Sequence, residues 1–225
     1  MIRRLTLLSL VVIFGLFLLG CATEPEPMPE NLTRPCPVKV LGLAPLQAAW
    51  PGSNPGEVIC PITGEIFAGK VVPDKAVEAL TMRLPAEVDR VFSCPLIRPS
   101  RLAGQLPVMP ATAGPPIRRA MAQAGRKVGA EALLTGTIFR YEEREGSSVA
   151  VTRAASVYFG LYLIDSRSGD ILWRGFFDET QKSLTENLFK IYSFFNRGAH
   201  WLTAADLGAA GIRETVRHIP SVLQR

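Results

Sequence analysis

Apolar residues along this chain fall into three kinds of run, unbroken, helical and alternating, and each kind predicts a different element. Residues 5–19 form an almost unbroken apolar stretch. Helical spacing begins after Asp74, which can cap a helix whose apolar positions Val77, Leu80 and Leu84 recur at i, i+3 and i+7. A second helix follows the prolines that end the loop of residues 99–116. Its stripe is Ile117, Met121, Ala124 and Val128, and Gly129 stands where a helix stops. Two more are predicted near the end of the chain. Leu184, Leu188, Ile191 and Phe195 follow the capping box Ser183-x-x-Glu186, while Ala205, Ala209, Ile212, Val216 and Ile219 follow Thr203 and Asp206 and run up to Pro220.

Strand signals lie between the helices. Residues 38–43 and 91–97 are short runs with β-branched members. Residues 132–141, 149–164 and 171–177 follow, and in the middle run Val149, Val151, Ala155, Val157, Phe159, Leu161 and Leu163 alternate with other residues. Residues 142–148 and Asp165-Ser166-Arg167-Ser168-Gly169-Asp170 supply the turns, so the three runs read as an antiparallel meander. The predicted fold is α/β of the α+β kind. A mixed sheet containing a three-stranded antiparallel meander is flanked by about four helices, without internal repeats.

The unbroken run changes the picture of the chain's start. Met1-Ile2-Arg3-Arg4 places charge ahead of it, and its roughly 15 residues fall short of the roughly 20 that a helix needs to cross a hydrocarbon core. That is signal-peptide order. Leu18-Leu19-Gly20-Cys21 at its end resembles the lipobox of bacterial lipoproteins. The resemblance implies cleavage between Gly20 and Cys21, a diacylglycerol thioether on Cys21 and an acyl chain, such as palmitate, on the new amine. These covalent lipids are the only cofactor expected. Ala22 stands where retention at the inner membrane would favour Asp, so the resemblance implies sorting to the outer membrane, facing the periplasm. Residues 22–35 are rich in Pro and Glu and nearly empty of large apolar groups, which predicts an extended tether. The expected organisation is a signal peptide at 1–20, a lipidated cysteine and tether at 21–36, and one periplasmic domain at 37–225. Asn31-Leu32-Thr33 matches a glycosylation triplet, which carries little meaning in such a protein.

Charge and chemistry narrow the function classes. Without Arg3 and Arg4 the chain has 23 basic against 20 acidic residues, a net charge of +3. The basic residues are scattered and do not interleave with aromatics, which argues against a nucleic-acid footprint. With Cys21 lipidated, Cys36, Cys60 and Cys94 remain in an oxidising compartment, allowing at most one internal disulfide among them. Each precedes a proline and none has a near cysteine neighbour. Cys60-Pro61-Ile62-Thr63-Gly64 lacks the second cysteine of a zinc knuckle, so no metal site is expected. His200 and His218 are the only histidines, and no nucleophile elbow, P-loop or dinucleotide motif accompanies them. Glu142, Glu143 and Glu145 read as a solvated hairpin tip. No catalytic residue is assigned, and the chain is expected not to be an enzyme.

Two segments carry a wider resemblance. Val128-Gly129-Ala130-Glu131-Ala132-Leu133-Leu134-Thr135-Gly136-Thr137-Ile138 and Leu161-Tyr162-Leu163-Ile164-Asp165, with Ser168-Gly169 and Ile171-Leu172-Trp173, resemble envelope lipoproteins related to the curli secretion channel CsgG. The lipoprotein activators of penicillin-binding proteins and the amino-terminal domain of TolB belong to the same group. In that pattern Gly129, Gly136, Asp165, Gly169 and Trp173 have structural roles: a helix stop, a close strand approach, a turn and a space-filling ring. The resemblance implies a non-enzymatic module that assembles or regulates an envelope machine through periplasmic or outer-membrane protein partners. An oligomeric pore or secretion component is the alternative, with a second copy of the chain as partner. Its only long amphipathic hairpin, residues 137–163, is interrupted by Arg140, Glu142, Glu143, Arg144, Glu145 and Arg153, which argues against a membrane barrel. A lipoprotein binding a small ligand or glycan is the third class.

Overall fold

A computed structural model describes residues 33–106, 111–147, 151–181, 201–221 and 223. The chain divides into two units, Met1–Leu32 and Thr33–Arg225. The first unit, which holds Gly20, Cys21 and most of the tether, lies outside the described residues, as do His200 and the helix expected behind Ser183.

In the second unit the chain opens with β1 (Arg34–Pro35), β2 (Leu41–Leu43) and β3 (Gln47–Ala48). A small antiparallel sheet follows, made of β4 (Trp50–Pro51), β5 (Glu57–Ile59) and β6 (Ile66–Ala68). Helix α1 (Asp74–Asp89) leads to β7 (Phe92–Ser93) and β8 (Leu96–Ile97), and then to α2 (Pro99–Ala103) and α3 (Pro115–Val128). The meander is β9 (Ala132–Glu142), β12 (Ser156–Asp165) and β13 (Ile171–Thr180), with β10 (Glu145–Gly146) and β11 (Val151–Arg153) as an outlying hairpin tip. Helix α4 (Ala204–Val216) comes last.

The main sheet runs β13-β12-β9-β2-β8, and β3 also pairs with β9. Pairings within the meander are antiparallel, while β2, β3 and β8 join in parallel. The expected mixed sheet and its three-stranded meander are therefore present, with four helices among the described residues. The run predicted at 91–97 divides into β7 and β8, which pair with different partners. The loop expected at 99–116 contains α2.

Helices α1 and α4 cover one face of the sheet. Leu80, Leu84, Leu207, Ile212 and Val216 pack there against Leu134, Phe159, Leu161 and Leu163. Helix α3 and the small sheet cover the other, where Ile117, Met121, Val58 and Ile62 meet Leu133, Phe139, Tyr162 and Ile164. Burial from both sides explains why residues 132–139 do not alternate: all eight are buried. Edge strand β13, by contrast, mixes buried, half-buried and exposed positions.

Local chemistry sets the helix ends. Thr203 caps α4 by accepting the Asp206 N–H at 3.1 Å. Gly129 adopts φ 78° as the left-handed stop of α3, and the Ala130 N–H returns to the Gly125 carbonyl at 2.9 Å. Pro85 sits inside α1 and removes one backbone hydrogen bond. The helix continues to Asp89 because Leu84, Pro85 and Val88 are all buried by it.

Candidate functional site: the tether root and the sheet edge

The expected tether meets the folded unit sooner than residue 36. Arg34–Pro35 pairs in parallel with Phe92–Ser93, and Cys36 is disulfide-bonded to Cys94 with Cα atoms 5.3 Å apart. The Arg34 guanidinium donates to the Arg217 carbonyl and, at 2.8 Å, to the Ser221 hydroxyl, and it lies 5.9 Å from the centre of the Phe92 ring. The boundary expected at 36/37 thus moves back: residues 34–36 are held by a strand, a covalent bond and a side chain that caps the end of α4. Proline and charge made them look like linker, but these long-range contacts decide the matter.

Beside this root, α1 and α4 are joined by a buried carboxylate. Glu87 is 3% exposed, and its oxygens accept from Arg90 at 2.8 Å and Arg213 at 2.7 Å. Burial of a carboxylate requires such charged partners. The third thiol, Cys60, is fully buried, 3.3 Å from the Thr137 hydroxyl, and donates to the Tyr162 hydroxyl at 3.4 Å. Burial, reinforced by Cys60, drives the Tyr162 phenol well above its ordinary pKa.

The motif residues occupy the frame around the meander. A Cβ on Gly136 would lie 2.5 Å from the Gly160 carbonyl oxygen. Asp165 Oδ1 accepts from the backbone N–H groups of Arg167 at 2.6 Å and Ser168 at 3.2 Å, and Gly169 closes that turn with φ 81°. Trp173 is half-buried on β13 and covers Gly175, where a Cβ would sit 2.5 Å from the indole.

The acidic trio at the hairpin tip divides among three tasks. Glu142 accepts from Lys70 at 2.9 Å, which holds its carboxyl below the ordinary pKa. Glu143 accepts the Ala204 N–H at 2.9 Å at the start of α4, and Glu145 pairs with Arg153. Among the described residues no group of three or more His, Cys, Asp and Glu could hold a metal ion. His218 is exposed beyond the end of α4.

The sequence pattern did not reveal the surface beside β13. A cleft of about 240 Å³ opens there, lined by Trp173, Phe177, Glu214, Thr215 and His218 among others. No described strand pairs with the outer edge of β13. On the opposite face Phe176 is 41% and Ile66 62% exposed, above a cluster in which Phe67 stacks on Phe139 at 4.3 Å. Cross-strand packing creates this cluster. A bulge opposite Tyr158 and Phe159 adds Phe139 to its strand, and Phe139 then packs 4.9 Å from Tyr158 while Arg140 lies 5.8 Å from the same ring. Only the register brings these residues together.

No protein-family model matches the chain, and no curated protein matches it. Among solved structures it is similar to the PelC dodecamer from Paraburkholderia phytofirmans, at 11% identity and TM-score 0.39 over 84% of this chain and 91% of that one. It is similar to lipoprotein GNA1162 from Neisseria meningitidis at 13% identity and TM-score 0.38, over 72% and 97% of the two chains. The LpoB C-terminal domain from Escherichia coli aligns at 17% identity and TM-score 0.35, over 64% and 83%. Likenesses of this degree assign the chain to no family.

Proposed function

We propose that the chain is a lipid-anchored, non-enzymatic interaction module at the outer membrane, facing the periplasm and serving an envelope machine through protein contacts. The observation that carries this reading is Leu18-Leu19-Gly20-Cys21 at the end of a short apolar run behind Arg3 and Arg4. The disulfide between Cys36 and Cys94 fits an oxidising compartment. The outer edge of β13, with which no described strand pairs, is flanked by Trp173 on one face and Phe176 on the other and is the surface offered to a protein partner, because a strand edge supplies main-chain hydrogen bonds and aromatics supply contact area. The alternative pore reading gains nothing from the 137–163 hairpin, since its stem is the buried centre of the sheet.

Two experiments test the two halves of the proposal. Metabolic labelling with a clickable fatty acid should mark the wild-type chain and fail in Cys21→Ser; labelling that survives defeats the anchor. A photo-crosslinking residue at Arg174 or Phe176 should trap a specific envelope protein in intact cells, whereas one at Lys75 should not. Equal trapping at all three positions defeats the surface.

A further inference from the structure

The end of the domain at which the tether enters is also its basic end. Three helices finish there. Arg213 in the last turn of α4 meets Glu87 in the last turns of α1, and Arg126 in the last turn of α3 donates to the Ser166 and Arg167 carbonyls at 2.6 and 3.0 Å. The connections join in: the Glu131 N–H donates to the Val40 carbonyl, its carboxylate accepts the Lys39 N–H at 2.9 Å, and Arg98 pairs with Asp89. Arg34 at the tether root donates to the carbonyl of Arg217, just past α4.

Cations at helix C-termini commonly satisfy terminal carbonyls and the helix dipole; Arg34 caps α4 in this way, while Arg126 reaches the carbonyls of the 165–170 turn. That role does not account for the charge balance. The last turns of the three helices, with the adjoining connections and the 165–170 turn, carry nine basic side chains against six carboxylates. The other described residues carry ten of each. The whole +3 excess of the described residues therefore sits at one end, and Lys39, Lys127, Arg167 and Arg217 are exposed on it. Of the six carboxylates, Glu87 and Asp165 are buried.

From this coincidence we propose that the tether-root end is a docking surface for an anionic phospholipid bilayer. The inference rests on the lipid-anchor reading for its biological setting, because an anchor keeps this end within reach of headgroups. Lipid phosphates are favoured over an acidic protein because the covalent tether enters at this same end. Exposed Lys and Arg near a charged membrane each strengthen binding by about fivefold, and that attraction fades within a Debye length of roughly 8–10 Å. Seated this way, the domain faces the membrane with its helix C-termini.

The test uses the Cys21→Ser chain from residue 21 onward, which keeps the whole unit that begins at Thr33 and lacks lipid. It is sedimented with vesicles of neutral phosphatidylcholine, with or without 40% phosphatidylglycerol. Binding should require phosphatidylglycerol and be lost in high salt. Lys39→Glu, Lys127→Glu and Arg167→Glu together should lower the partition coefficient on the order of a hundredfold. The control Lys75→Glu, Arg101→Glu and Arg153→Glu, with the same net charge, should change it far less. Circular dichroism melts of both triple variants verify that they fold; if the root triple unfolds, the single variant Lys127→Glu is read at an expected loss of about fivefold. Absence of binding to the anionic vesicles, or equal losses in the two triples, overturns the proposal. Fatty-acid labelling is scored separately, so vesicle binding without labelling would reject the anchor while leaving the surface.

Discussion

Removing the Cys36–Cys94 bridge, by Cys36→Ala with Cys94→Ala, is the most decisive perturbation of the tether root. The cysteines are 58 residues apart, and closing a loop of that length in the unfolded chain corresponds in the chain-entropy account to about 4 kcal/mol. For a chain of this size each kcal/mol shifts the melting midpoint by roughly 2–4 °C, so the bridge is expected to raise it by about 8–16 °C. Urea unfolding of the Cys21→Ser chain, with and without reductant, measures the same quantity as a shift in midpoint. Thiol titration of the unfolded, unreduced chain supplies the independent check. One thiol should react, that of Cys60, and reduction should release those of Cys36 and Cys94 as well. Three reactive thiols before reduction would refute the pairing. An unchanged midpoint in the double variant would refute the stability argument even if the pairing stands.

Three further expectations follow from the packing. Glu87→Gln should cost about 1–3 kcal/mol in urea unfolding, because it weakens a buried acceptor shared by Arg90 and Arg213 while those arginines keep partial access to water. Gly136→Ala should cost about 1–3 kcal/mol, since the new methyl would press on the Gly160 carbonyl, whereas Gly104→Ala, at φ −67° with open space around it, should be neutral or stabilising by up to about 1 kcal/mol. Lys70→Met should remove a small, pH-dependent increment. Because Lys70 depresses the folded-state pKa of Glu142, the increment is present above the unfolded carboxyl value and disappears as pH falls through the lower folded one. Both partners are substantially solvated, so the difference between wild type and variant should be about 0.5 kcal/mol or less at pH 7 and vanish once the pH has fallen below the folded-state value in urea titrations.

Local signals made much of the architecture legible. The apolar stripe of α3 and its stop at Gly129, the cap at Thr203 and the turn at Asp165 and Gly169 are governed by periodicity, φ and short-range hydrogen bonds, all encoded within a few residues. For the same reason the three meander strands and their order could be read from apolar runs and the turns between them, and Cys21 stands out by its position after the apolar run. Nothing local separates the two-residue strands β7 and β8, because their different partners lie elsewhere in the chain. Thr33 to Cys36 read as linker because Pro and charge dominate locally, while the disulfide and the reach of Arg34 to Arg217 and Ser221 span more than 50 and more than 180 residues.

The sequence by itself determined the type of most elements, the stop of α3 at Gly129, the cap of α4 at Thr203 and the limit of one disulfide among three thiols, since composition and short-range sterics suffice for each. It missed α2, the small sheet and the start of α1, where Pro73 rather than Asp74 stands at the cap. Tertiary structure alone decided that Cys36 joins Cys94 and Cys60 is buried, that Glu87 bridges two helices, that aromatics gather beside β13 and that the excess basic charge of the described residues collects at the tether root. Each of these depends on which distant residues share a face or an end of the sheet, and that is set by strand register and helix packing across the whole chain.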